Sequence, residues 1–125
     1  MKKLFGNSRR NTGQHYEAVA AKHLQKHGLT LLQQNYHCRS GEIDLIMLDQ
    51  QTLVFVEVRF RQHNGHGSAL ESVNTHKQRK LLTAARHFLS CHPDHQHRNC
   101  RMDVVGIELR QQQPQIHWVK NAFME

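Results

Sequence analysis

Residues 41–61 read Gly41-Glu42-Ile43-Asp44-Leu45-Ile46-Met47-Leu48-Asp49-Gln50-Gln51-Thr52-Leu53-Val54-Phe55-Val56-Glu57-Val58-Arg59-Phe60-Arg61. Two apolar runs, Ile43 to Leu48 and Leu53 to Phe60, flank a polar break. Both carry β-branched or large apolar residues on both faces, as the central strands of a covered sheet do. The break Asp49-Gln50-Gln51-Thr52 marks a hairpin. Its turn uses either Gln50-Gln51 or all four residues, and either choice sets Asp44 directly opposite Glu57. Opposed residues of an antiparallel pair share a face, with Cβ atoms about 4.5–5.5 Å apart. A loop of odd length would slip the register and separate the two acids.

Two carboxylates opposed on apolar strands need relief. One carboxyl can hold a proton, or a neighbouring cation can pair with both. Arg59 and Arg61 alternate onto the face of Glu57 and are candidates for that pairing. The functional solution is a hard divalent ion such as Mg²⁺, which takes oxygen ligands and keeps several waters.

Outward from the hairpin, Thr75 to Cys91 is predicted as a helix burying Leu81, Ala84, Ala85 and Phe88. Lys77 is eleven residues before Phe88 and so falls on the same inward stripe. It either reaches the acidic pair or is a first-turn surface lysine. Upstream, Gln14 to His27 is predicted as a helix, with Tyr16, Val19, Ala20 and Leu24 at helical spacing and Gly28 as its stop. Glu17, nearly two turns before Leu24, lies on the buried stripe beside Ala20 and Ala21. A carboxylate pointing inward needs a partner. Leu29 to Cys38 reads as a further strand before a turn at Ser40-Gly41, and Arg101 to Leu109 as another. Gln111 to Gln115, with Pro114, reads as a turn, and the pattern assigns no type to Trp118–Phe123.

The chain has 125 residues, enough for one domain with a modest core. Residues 1–13 read as a flexible basic arm carrying Lys2, Lys3, Arg9 and Arg10, and residues 14–125 as the domain. Lys and Arg number 17 against 10 Asp and Glu, a formal charge of +7. Such a surplus points to polyanionic partners, nucleic acid before membranes. Cys38, Cys91 and Cys100 form neither an even set nor a Cys-x-x-Cys pair, which argues against a disulfide framework and for a reducing compartment. The N-terminus has no apolar signal region and no run is long enough to span a bilayer, so the expectation is a soluble cytoplasmic protein with no membrane partner.

Three further sets of residues carry possible ligands. Glu42 is expected at a loop edge, off the face of Asp44. Asp103 is expected in a salt bridge near Arg101 rather than on a metal. The segment from Cys91 to Cys100, with His92, His95 and His97, holds enough soft ligands for zinc, but its spacing matches no common zinc pattern. His63 and His66 are weaker candidates still.

Taken in order, these segments resemble the PD-(D/E)XK, restriction-endonuclease-like nucleases, and more closely the YraN family of small bacterial proteins. The resemblance rests on Gly13-x-x-x-Glu17 with Ala18 to Leu24, on Gly41 to Ile46, and on Val54 to Arg61. It continues through Lys77 to Leu82 and Cys100 to Val105. It implies an α/β fold, a restriction-endonuclease-like mixed β-sheet flanked by helices. Asp44 then corresponds to the motif's first acid and Glu57 to the second. Glu17 matches the helix-borne acid that related Holliday-junction resolvases add. The implied activity is Mg²⁺- or Mn²⁺-dependent hydrolysis of phosphodiester bonds in DNA or structured nucleic acid, with Asp44, Glu57 and Glu17 as metal ligands. Arg59 stands where the motif has lysine. Arginine clamps phosphate but stays protonated and cannot act as a general base. That departure leaves a second class open, a nucleic-acid-binding protein that keeps the fold and cleaves nothing. Phosphate contacts are expected from Arg59, Arg61 and the basic arm.

Overall fold

A computed structural model describes residues 8–62 and 70–123. Helix α1 (Ser8–Lys26) leads into a meander of β1 (Thr30–Cys38), β2 (Gly41–Asp49) and β3 (Thr52–Gln62). Helix α2 (Thr75–Cys91) then crosses over to β4 (Cys100–Arg110), and β5 (Gln113–Val119) closes the chain. The sheet order follows the sequence, β1-β2-β3-β4-β5. Only β3 and β4 run parallel. A parallel pair needs a crossover, and α2 supplies it. The fold is α/β, a five-stranded mixed sheet with one helix on each face.

The two faces follow from strand alternation. Leu45, Met47, Val54, Val56, Val105 and Ile107 face α1, where Ala20, Ala21 and Leu24 meet them. Ile46, Leu53, Phe55, Met102 and Val104 face α2, against Leu81, Ala84, Ala85 and Phe88. Because β2, β3 and β4 are covered on both sides, they read as continuous apolar runs. Burying a side chain such as Phe55 contributes about 1.5–3 kcal/mol.

The helix and hairpin signals act locally as expected. Gly28 takes φ +96° and ends α1. The side chain of Asn74 caps α2 by accepting the Lys77 amide at 2.9 Å. The β2–β3 turn is the two-residue Gln50-Gln51, with Asp49 paired to Thr52 and Leu45 to Val56. Asp103 is buried and fully paired. It accepts from Arg101 Nε at 3.0 and 3.2 Å, from Trp118 Nε1 at 2.9 Å and from the Asn121 amide at 2.9 Å. Arg101 in turn holds Asp49 at 2.9 Å, so this network ties β4 to the hairpin and to the C-terminal segment.

Two element expectations are corrected. Helix α1 begins at Ser8 rather than near Gln14, so Arg9 and Arg10 lie in the helix, while Lys2 and Lys3 lie outside the described residues. The stretch expected as a turn at 111–115 is shorter: Gln111 and Gln112 alone make it, both at positive φ, and Pro114 belongs to β5. An edge strand accommodates proline because its outer amides have no ladder partner. Trp118 and Val119 complete β5. Among the described residues no helix is long and apolar enough to cross a membrane, and the three cysteines are free.

Candidate active site

The carboxylates gather where the β2–β3 ladder ends. Its last rung is Leu45 with Val56, and beyond it the strands part. The Val58 amide, lacking a strand partner there, donates to Asp44 Oδ2 at 2.8 Å. Asp44 also lies at a break in alternation. Leu45 faces α1, whereas Ile43 packs with Tyr36 on the side of α2. Opposite Asp44 on β1 is Asn35, which takes φ +53°. Asparagine tolerates this left-handed conformation better than most residues. The twist exposes Asp44 to groups from both helices.

Glu17 approaches from α1. Its carboxyl lies within electrostatic reach of Asp44 and beside the Asn35 side chain. Glu57 hydrogen-bonds to Asp44 from β3. The three carboxyls therefore form a chain, Glu17 to Asp44 to Glu57, and among the described residues no three acidic, histidine or cysteine side chains converge on one point. Two cations attend Glu57, which is only 6% exposed: Arg59 Nε at 3.1 Å and Lys77 Nζ at 3.8 Å. Lys77 thus reaches the site from α2. The Arg61 side chain is half-buried and makes no ion pair among the described residues. Glu42 is exposed and pairs with His37 at 3.2 Å.

The electrostatics follow from this crowding. Burial, then the charge of Asp44, pushes Glu57 up from 4.5 to about 8 against the pull of Lys77 and Arg59. Burial, then Asp44, pushes Glu17 up to about 7, opposed by the Asn35 side chain. Asp44 is also raised by burial, against which the Val58 amide and the Glu57 hydrogen bond act. Burial and mutual repulsion thus favour a proton held on the Asp44–Glu57 pair. Two cations do not neutralise the cluster, and protons make up the difference.

That demand for positive charge is the test of fit for a divalent ion. The donors are carboxylate oxygens without thiolate or imidazole, the set that suits Mg²⁺ or Mn²⁺. An ion there would be held through the oxygens of Asp44 and Glu57, with no third ligating side chain converging among the described residues. Glu17 contacts Asp44 alone of the pair.

The other candidate ligands are used structurally. His92 stacks on Phe88 at 3.9 Å and its Nδ1 bonds the Phe88 carbonyl at 2.8 Å. His95 accepts from Arg98 Nε at 2.9 Å. Cys91, Cys100 and these histidines do not form a zinc cluster. His63 and His66 lie outside the described residues. Sequence reasoning missed Asn35, whose only signal was a polar turn-former inside an expected strand.

Comparison with known proteins places this geometry. The model of Uncharacterised protein family UPF0102 matches residues 16–107, a span running from the residue before Glu17 into β4. The chain belongs to the UPF0102 family. A UPF0102 protein of Alcanivorax borkumensis is 56% identical over 93% of this chain and 94% of its own length. One from Stutzerimonas stutzeri is 50% identical over 90% and 94%. Another from Pseudomonas savastanoi pv. phaseolicola is 48% identical over 94% and 96%. The matched UPF0102 span contains all three clustered carboxylates together with Arg59 and Lys77.

Proposed function

We propose that this UPF0102 chain is a divalent-metal-dependent nuclease acting on DNA or structured nucleic acid. The observation that carries the reading is the buried Asp44–Glu57 pair at the open end of the hairpin, short of positive charge and flanked by Arg59 and Lys77. Asp44 and Glu57 would hold Mg²⁺ or Mn²⁺, with Glu17 supporting Asp44. When bound, the ion supplies charge neutralisation and activation of water for attack on phosphorus. Arg59 and Lys77 orient the phosphate and stabilise charge on its oxygens. Lys77 brings to Glu57 the ammonium that the motif position, occupied by Arg59, does not supply.

The +7 charge supports a polyanionic substrate. Arg59 at the motif lysine position favours the second reading, a nucleic-acid-binding protein without cleavage. A screen of junction, flap, duplex and single-stranded DNA and of RNA, with Mg²⁺, Mn²⁺ or chelator, separates the two. Metal-dependent cleavage lost in Asp44→Ala supports the nuclease. Binding without cleavage of any substrate supports the second reading.

A further inference from the structure

Beside the carboxylates lies a polar cleft of about 350 Å³. One wall is the β1–β2 turn, with Arg39, Ser40 and Gly41, and the other is the start of α2, with Lys77 and Lys80. Its floor is tight. A Cβ placed on Gly41 would lie 3.6 Å from the Lys80 carbonyl oxygen and 3.7 Å from Lys80 Cβ. Lys77 joins the cleft to the carboxylate cluster through its 3.8 Å contact with Glu57.

The charge of the cleft is unbalanced. Its one acid, Glu42, is engaged by His37 at 3.2 Å. Arg39 and Lys80 are exposed, and among the described residues neither has an acidic partner. Of the strand arginines, Arg59, Arg101 and Arg110 have acidic partners, whereas Arg61 has none among the described residues. Arg39 and Lys80 line the same polar cleft, and a guanidinium beside an ammonium suits an anion.

We propose that this cleft binds the phosphodiester backbone of nucleic acid, with Arg39 and Lys80 contacting a phosphate next to the one presented to Asp44 and Glu57. The proposal rests on reading the carboxylate cluster as a nucleic-acid site. Phosphate contacts fix register and orientation without reading sequence, so Arg39 and Lys80 set how far the strand extends past the carboxylates. Binding through this cleft is independent of base identity.

The test is fluorescence anisotropy with labelled duplex DNA, single-stranded DNA and RNA of equal length, in chelator so that cleavage plays no part. Arg39→Gln/Lys80→Gln is compared with Lys22→Gln/Lys26→Gln, which removes the same charge from exposed positions farther along α1. The cleft variant should bind about tenfold more weakly, and its log–log salt slope on duplex should be shallower by about 0.9, one phosphate's worth. The control should lose less on both counts. Equal losses in the two variants, at unchanged melting temperature, overturn the cleft. If the cleft variant alone loses affinity while no substrate is ever cleaved, the cleft stands and the nuclease reading fails. If cleavage is found and the cleft variant binds and cleaves like wild type, the nuclease reading stands and the cleft fails. A wild type that binds none of the three at low salt overturns both.

Discussion

Asp44 takes the amide proton of Val58 at 2.8 Å, immediately beyond the last rung that joins β2 to β3. A side chain there replaces a backbone acceptor, so the hairpin opens without leaving a buried amide unpaired. The opening brings the acids of two strands and one helix together, with cations from β3 and α2. The same bond fixes Asp44 in one orientation, which preorganises the site before anything binds.

Metal-free stability should fall as pH rises through the range set by Glu57. In the unfolded chain Glu57 ionises near its ordinary value of 4.5, and in the folded protein near 8. Between these values the folded state holds more protons, so rising pH favours unfolding. The contribution is fully present below about pH 4.5 and is lost as pH passes about 8. Glu17, raised to about 7, acts in the same direction. The difference in melting temperature between wild type and Glu57→Gln isolates this contribution from the twelve histidines. Glu57→Gln should gain on wild type as pH rises from about 5 to about 9. A difference that stays flat contradicts the raised acidity of Glu57.

Mn²⁺ or Mg²⁺ should raise the melting temperature of wild type, more at pH about 8.5 than at about 6 because protons compete for the same carboxyls. Asp44→Asn and Glu57→Gln should abolish the rise. Without metal at the higher pH both variants should match or exceed wild type, since each removes one of two crowded charges. Severe destabilisation of either would mean that the pair is a structural hub and not an ion site.

Much of this site was legible in the residues themselves. The polar break at Gln50-Gln51 set the hairpin register as far as Leu45–Val56. The expected Asp44–Glu57 rung does not form, because the strands part there and Asp44 accepts the Val58 amide. Helical spacing from Leu24 and Phe88 turned Glu17 and Lys77 inward, and the structure brings both to the carboxylates. Other parts depend on tertiary geometry. Periodicity does not reveal that alternation breaks at Asp44, with Ile43 facing α2 and Leu45 facing α1. Gln111-Gln112 is a poor advertisement for a tight turn, since two positive φ values usually call for asparagine or glycine. The cleft of Arg39 and Lys80 exists only because the β1–β2 turn rests on α2, a contact between residues far apart in the chain.

Asp103 should matter to stability and not to the carboxylate chemistry. Its four hydrogen bonds hold Arg101, Trp118 and the Asn121 amide. Asp103→Ala leaves the Trp118 and Asn121 donors without their Asp103 acceptor and Arg101 with Asp49 as its remaining acidic partner, a loss of about 2–4 kcal/mol. Denaturant unfolding measures it. The ion-dependent rise in melting temperature should persist in whatever fraction remains folded, and its loss would join Asp103 to the ion site.

Arg59 and Lys77 should separate charge stabilisation from binding. Arg59→Lys keeps the cation and restores the residue type of the resembled nucleases, so its turnover should equal or exceed wild type. Arg59→Ala and Lys77→Ala should lose turnover at saturating substrate by more than affinity accounts for, as expected for contacts made in the transition state. A pure rise in KM would reassign both residues to uniform binding.

The central claim is that Asp44 and Glu57 form an ion-dependent hydrolytic centre, and single-turnover cleavage of the best-bound nucleic acid tests it most directly. Wild type and Arg59→Lys should cleave in Mn²⁺ or Mg²⁺ and stop in chelator. Asp44→Ala and Glu57→Ala should bind the same substrate at least as tightly and leave it intact. Cleavage that continues unchanged in Asp44→Ala, or its absence from wild type and Arg59→Lys with every substrate and both ions, would contradict the claim.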